Sequence, residues 1–231
     1  MKNIFYFYFY LLVLFIGIYL FWDKESIVVT TNKLNIKPVI KEYVDINKID
    51  FNYYRSLYNN DEIIGNIKID KYIDCLFVKG VDNSFYLDHD LYKNYYLLGS
   101  VFMDYRTNLL DKKIIIYGHT FKYYDTDFDV LEKYLSYEFY NNNKYIEINT
   151  DNNHMLYEIF SIYLTKDDYE YFDIEISDYN RHFNNLKNNS MFETNVEVND
   201  KDNVLILQTC SSNYEDYFVI VCAKRIEMRK I

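Results

Sequence analysis

The sequence predicts a mainly β protein: a closed, eight-stranded, largely antiparallel barrel with helices in its connections, preceded by one transmembrane helix. Three observations carry that reading. An uninterrupted apolar run opens the chain, short apolar strands dominate the rest, and half of the 231 residues are hydrophobic. With 5 Gly and 1 Pro the composition excludes collagen-like and low-complexity disordered chains.

The apolar run comprises the 19 residues from Ile4 to Trp22. As a helix it spans roughly 28 Å, close to the ~30 Å hydrocarbon core of a bilayer. It is longer than the apolar part of a signal peptide and ends in Leu20-Phe21-Trp22, without a small-residue cleavage site. An uncleaved signal-anchor is therefore expected. Lys2 precedes the run and all 35 acidic residues follow it, which places residues 1–3 in the cytoplasm and the remainder outside the cell. That acidic remainder does not suit a polybasic membrane-surface role.

Residues 23–43, with the single proline Pro38, read as a tether, and residues 44–231 as one folded domain. A first amphipathic helix is expected over about 44–59, with Ile46, Ile49, Tyr53 and Leu57 on one face. Strand patterns follow at 63–69, 73–79, 98–104, 112–117, 144–149, 154–164, 204–209 and 217–226. Two helical stretches interrupt them. The first, about 126–140, turns Phe128, Leu131, Leu135 and Phe139 inward, with Asp125 or Thr126 as N-cap. The second, about 178–190, turns Tyr179, Phe183 and Leu186 inward, with Ser177 as cap. Short strands interrupted in this way predict barrel closure.

The net charge of −10 excludes a nucleic-acid binder, which needs a basic surface. Cys75, Cys210 and Cys222 are odd in number and widely spaced, so neither a disulfide framework nor a zinc motif is expected. Cys75 and Cys222 lie inside apolar strands and read as small buried hydrophobes. His89, His154 and His182 read as surface residues without ligand spacing, so no metal site is expected. Arg106 reads as one half of a structural ion pair, and the run Lys166 to Glu170 as a solvated loop.

Two strand ends carry reactive side chains. The apolar strand Val204-Leu205-Ile206-Leu207 runs into Gln208-Thr209-Cys210, where a nucleophile is rigidly held yet accessible. Ile114-Ile115-Ile116-Tyr117 runs through Gly118 into His119. Brought together, Cys210 and His119 form the nucleophile and acid–base pair of cysteine catalysis. Taken alone, a single Cys and a single His equally mark structural positions.

Five stretches in register weigh against the structural alternative: 81–87 (Val-Asp-Asn-Ser-Phe-Tyr-Leu), 101–106 (Val-Phe-Met-Asp-Tyr-Arg), 116–119 (Ile-Tyr-Gly-His), 128–135 (Phe-Asp-Val-Leu-Glu-Lys-Tyr-Leu) and 207–210 (Leu-Gln-Thr-Cys). From about residue 60 to 226 the chain resembles the sortases, the cysteine transpeptidases of Gram-positive cell surfaces, and most closely class B. The resemblance implies a sortase-type barrel in which Cys210 attacks the Thr carbonyl of an Asn-Pro-x-Thr-like sorting signal and forms a thioacyl-enzyme. His119 is then the acid–base, and Asn83, Leu87, Tyr117 and Tyr171 line the peptide groove. The implied partners are surface proteins bearing a C-terminal sorting signal and a peptidoglycan amine. The connection over about 165–200 matches the class B insertion.

The chain departs from the family at one place of consequence. Where sortases carry an Arg early on the strand after the nucleophile, this sequence aligns Phe218. Arg225 lies seven residues further, on the opposite sheet face and about 23 Å along a strand at ~3.3 Å per residue. Gln208 shares the Cys210 face by parity and is a candidate neutral donor to the oxyanion or the substrate. The departure leaves two alternatives to a transpeptidase: a catalytically impaired sortase-fold protein that binds peptides or partners, and a cysteine peptidase that only hydrolyses.

Overall fold

The computed structural model describes residues 49–166 and 168–231. The expected cytoplasmic tip, transmembrane segment and tether lie outside these residues. Among the described residues no helix is long and apolar enough to cross a membrane.

Eight strands close into a barrel. In chain order they are β1 (Ile63–Ile69), β2 (Ile73–Val78), β3 (Phe102–Met103), β4 (Lys113–Tyr117), β5 (Tyr145–Asn149), β6 (Asn153–Thr165), β7 (Val204–Cys210) and β8 (Phe218–Lys230). Around the barrel the order is β1-β2-β3-β4-β7-β8-β6-β5, and β5 returns to β1. The β2–β3 and β4–β7 pairs are parallel and the other pairs antiparallel. Of the expected strands, 98–104 shortens most, to two residues.

Alternation along the strands divides the apolar side chains into two layers. Ile114, Ile116, Leu205, Leu207, Val219, Val221 and Ala223 belong to one core, with Ile67, Ile148 and Ile159 of other strands. The intervening residues Ile115, Tyr117, Val204, Ile206, Ile220 and Cys222 join a second core with Phe183 and Leu186 of the β6–β7 connection. Gln208, Cys210 and Phe218 have the parity of this second layer, so the expected nucleophile belongs to a face that helices cover.

Helix α1 (Phe51–Tyr58) is capped by Asp50, whose side chain accepts from the Tyr53 amide at 3.1 Å. Of the expected stripe, Ile49 packs against the second core just before the helix and Ile46 lies outside the described residues, but within the helix the buried side chains are different ones. Phe51 is buried and Tyr54 and Tyr58 pack against the second core, whereas Tyr53 and Leu57 are 58% and 45% exposed. The expected helix over 126–140 is two short ones, α2 (Val130–Lys133) and α3 (Tyr137–Asn142), because Ser136 leaves helical geometry with ψ 126°. Thr126 does not cap it. Its amide donates to Asp129 (3.0 Å) and its hydroxyl to the His119 carbonyl (2.5 Å), which fixes the turn after β4. Helix α4 (Tyr179–Asn188) is capped by Asp178 rather than Ser177, through the Arg181 amide at 3.0 Å.

The histidines also depart from expectation. His154 is buried on β6 and bonds Asn149, because the strand begins one residue earlier than its polar sequence suggests. His182 is buried against Lys113, whose amine lies 2.9 Å from its Nε2 and donates to the Asp173 carbonyl at 2.5 Å. His89 is half-buried and stacked on Phe85. Cys222 is fully buried as expected, while Cys75 is only partly buried. The run from Lys166 is tied to its surroundings rather than merely solvated: Lys166 pairs with Asp216, Asp168 accepts from Asn189, and Glu170 from Asn185.

Candidate active site

The parallel pairing of β4 with β7 builds the site. Tyr117 stands opposite Gln208 in register. His119 and Cys210 each lie two residues beyond those partners, so the two strands deliver both side chains to the same edge of the barrel. The junction is tied by the Gly118 amide donating to the Gln208 carbonyl (3.2 Å) and by the Thr120 and Thr209 hydroxyls at 2.8 Å. Gly118 is required for space: a Cβ there would lie 2.6 Å from the ring of Phe128.

Cys210 and His119 line one cavity of about 470 Å³, together with Asn83, Leu87, Tyr117, Tyr171 and Gln208. All the residues the sequence singled out for the site therefore converge. Phe102 and Phe218, from the motif stretch and the Arg position, line it too, and Tyr169 and Phe172 add an apolar wall that the sequence did not identify. Tyr169, Tyr171 and Phe172 come from a 3-10 turn region of the β6–β7 connection, a loop whose place depends on packing rather than periodicity. Among the described residues the lining contains no Arg or Lys.

Cys210 ends β7 and is paired directly with Phe218 at the start of β8. The apolar surroundings push its thiol above the ordinary value, so the resting nucleophile is the neutral thiol. His119 makes its side-chain hydrogen bond elsewhere. Its Nε2 lies 2.7 Å from the Leu87 carbonyl, and a carbonyl only accepts, so Nε2 carries a proton. Nδ1 is left as the atom that exchanges protons. Gly99 sets this carbonyl: at φ +59° it packs so closely that a Cβ would lie 2.5 Å from the Tyr86 oxygen and 2.6 Å from the Leu87 oxygen.

One wall is held by a buried carboxylate. Asp104 is fully buried and accepts from the Arg106 guanidinium through both oxygens (2.9 and 2.7 Å), from the Tyr117 hydroxyl (2.7 Å) and from the Asn83 amide (3.0 Å). Burial alone would raise its pKa, but these hydrogen bonds prevail and hold it below the usual carboxylate value. Arg106 also lies 4.0 Å over the Phe172 ring and donates to the Phe172 carbonyl at 3.2 Å. The expected structural ion pair is present, and it fastens the β6–β7 connection to the groove wall. Arg225 is remote: it pairs with Tyr157 in the sheet and donates to Asn203 at 2.8 Å.

The arrangement provides a thiol, a histidine on the same edge, and an apolar cavity that both side chains line. Comparison with known proteins gives the same answer. The sortase domain family matches residues 78–226. Sortase B of Staphylococcus aureus (strain NCTC 8325 / PS 47) is 34% identical over 177 residues, covering 73% of this chain and 72% of the relative. Sortase B of Listeria monocytogenes serovar 1/2a is 32% identical over 185 residues, covering 72% and 71%. The X-ray structure of Clostridium perfringens sortase B superimposes with a TM-score of 0.71 at 28% identity, covering 77% of this chain and all of that one. A Staphylococcus aureus sortase B–substrate complex gives 0.67 at 32% identity, covering 75% and 84%. With the fold, the strand-end Cys and His and these relatives in agreement, the chain belongs to the sortase family, on its class B branch.

Proposed function

We propose that this protein is a membrane-anchored cysteine transpeptidase that cleaves an Asn-Pro-x-Thr-like sorting signal after Thr and transfers the protein to a peptidoglycan amine outside the cell. The observation that carries the proposal is the convergence of Cys210 and His119 on one apolar groove. The sortase B–substrate complex among the structural neighbours supports a peptide as occupant. The apolar run Ile4 to Trp22 supports the anchor.

In this reading the two side chains act in turn. The Cys210 thiol gives its proton to Nδ1 of His119, and Sγ attacks the Thr carbonyl carbon. When the tetrahedral adduct collapses, the C–N bond breaks and the departing amine takes the proton from His119. The thioester is then attacked by an incoming amine, His119 accepts its proton, the C–S bond breaks, and the leaving thiolate takes that proton from His119 to restore the thiol. No cofactor takes part in either half-reaction. Leu87, Phe102, Tyr171 and Phe172 exclude water from the peptide, which strengthens any hydrogen bond to the developing oxyanion. Gln208 is the neutral donor for that role: it stands two residues before Cys210 and lines the same cavity.

Phe218 favours a second reading. It faces Cys210 across the β7–β8 pair, where the family resemblance expects an Arg, and among the described residues the groove lining holds no Arg or Lys. A sortase-fold protein of that description binds sorting-signal peptides without turning them over.

The test incubates residues 26–231 with Asn-Pro-x-Thr and Leu-Pro-x-Thr-Gly peptides and follows the intact mass, with and without an oligoglycine or diaminopimelate-type amine. A transpeptidase gives an acyl adduct that requires Cys210 and is discharged by amine. An adduct discharged equally fast by water alone marks a peptidase, and peptide binding without an adduct marks the binding protein.

A further inference from the structure

The chain leaving Cys210 is fastened by a single carboxylate that the reaction itself does not use. Glu132 on α2 is half-buried and accepts from the Ser211 hydroxyl (2.6 Å), the Ser212 amide (2.8 Å) and hydroxyl (2.5 Å), and the Asn213 amide (3.3 Å) and side-chain amide (3.0 Å). Three consecutive residues after the nucleophile thus direct their donors at one side chain from a distant part of the sequence. The Ser211 hydroxyl in turn accepts from the amides of Asn213 (3.2 Å) and Tyr214 (3.1 Å), and the Ser211 amide donates to the Tyr217 carbonyl (2.7 Å). Burial would raise the Glu132 pKa, but the hydrogen bonds from Ser211, Ser212 and Asn213 prevail and hold it below the ordinary value. The carboxylate is therefore ionised at neutral pH, where charge-assisted bonds are strongest.

We propose that Glu132 is a positioning residue for Cys210: it fixes the path of residues 211–213 and thereby the direction of Sγ and the rim of the groove beside it. A connecting loop is otherwise the most mobile part of such a scaffold, and a displacement of about 1 Å at a reacting group costs on the order of a hundredfold in rate. The clamp has a second consequence. The amides of Ser211, Ser212 and Asn213 are all committed, so none of them is free to meet an oxyanion, and that role passes to side chains of the groove such as Gln208. The consequence for peptide transfer rests on the function proposed above; the consequence for the thiol does not.

The experiment compares the parent with Glu132→Gln, Glu132→Ala, Ser212→Ala and the Glu132→Ala/Ser212→Ala pair. Melting temperature, the rate of Cys210 alkylation by iodoacetamide (located by peptide mass) and kcat and KM for acylation by an Asn-Pro-x-Thr peptide are measured, all well below the melting transition. In Glu132→Gln an amide NH2 meets the Asn213 donor, so even this isosteric change opens the clamp. The expected result is an alkylation rate changed at least fivefold in both Glu132 variants and a kcat at least tenfold lower at unchanged KM. Ser212→Ala is expected to act in the parent and by less than twofold in Glu132→Ala. If Glu132→Ala fails to fold, Glu132→Gln and Ser212→Ala carry the comparison. Alkylation and acylation within twofold of the parent in folded variants overturn the proposal. A parent that alkylates but accepts no peptide, with variants that still alter alkylation, overturns the transpeptidase reading and leaves the clamp standing.

Discussion

Replacing Phe218 by Arg tests what the groove lacks. Phe218 is the direct antiparallel partner of Cys210. Opposed residues carry their Cβ atoms about 4.5–5.5 Å apart on one face, so an Arg at 218 brings its guanidinium over the thioacyl centre. One preorganised donor to an oxyanion contributes about 3 kcal/mol, or on the order of a hundredfold in rate. Against this stands the loss of the Phe218 ring, which meets Tyr169 edge-on at 6.4 Å. Such a pair contributes about 1 kcal/mol, and stacking of the guanidinium on Tyr169 recovers part of it. The expectation is a faster acyl adduct, by about two orders of magnitude, in a domain destabilised by about 1 kcal/mol. Intact-mass time courses with an Asn-Pro-x-Thr peptide measure it, beside Cys210→Ala as a blank and Phe218→Leu as a packing control. Folded Phe218→Arg protein acylating within threefold of the parent would refute the reasoning, because a charged donor at that place would then not be limiting. Gln208→Ala sharpens the result: it should slow the parent about tenfold and the Arg variant much less.

Three further outcomes are expected. Asp104→Asn removes the charge opposite Arg106 and turns one of the two accepting oxygens into an NH2 donor that faces other donors, and it should cost about 3–5 kcal/mol in urea unfolding; because the carboxylate pKa is lowered in the fold, the parent's own share of that stability is present at neutral pH and is lost on acidification. Lys113 is held down at about 7 by burial, so between pH 7 and the unfolded value near 10.4 the unfolded chain binds the extra proton and stability rises with pH by up to about 1.4 kcal/mol per unit. In Lys113→Met that slope should be absent, and the variant's stability relative to the parent should decline from pH 7 to pH 10. Gly99→Ala forces a Cβ against the Tyr86 and Leu87 oxygens and strains a φ of +59°; it should lower stability by about 1–3 kcal/mol and, by moving the carbonyl that holds His119, lower kcat more than it raises KM.

Much of this was legible in the one-dimensional pattern, because burial on a sheet face imposes a period of two. β4 and β7 are instead continuous apolar runs, because both of their faces are buried, and the expected bounds of β1, β4 and β7 differ from the observed ones by at most one residue. The helix stripe of α1 was misread because Phe51, not Tyr53, faces the barrel; period alone fixes the angular width of a stripe, and the neighbouring element selects which stripe is buried. His182 was read as exposed from a polar helix, yet it is buried because Lys113 approaches it from β4. Glu132 gave no signal in the sequence: its partners lie about eighty residues away, and only the fold brings them within hydrogen-bonding distance.

Local chain geometry and residue chemistry suffice for most of the strands, for the parity that puts Gln208, Cys210 and Phe218 on one face, and for the identity of the two reactive side chains; they do not suffice for β3, which keeps two of its seven expected residues. The tertiary structure decided that β4 and β7 pair in parallel with Tyr117 opposite Gln208, which brings His119 and Cys210 to one edge. It also decided that His119 bonds the Leu87 carbonyl, and that Glu132 holds the chain beyond the nucleophile. Those facts depend on which surfaces exclude water together, and a linear sequence does not state its own pairings.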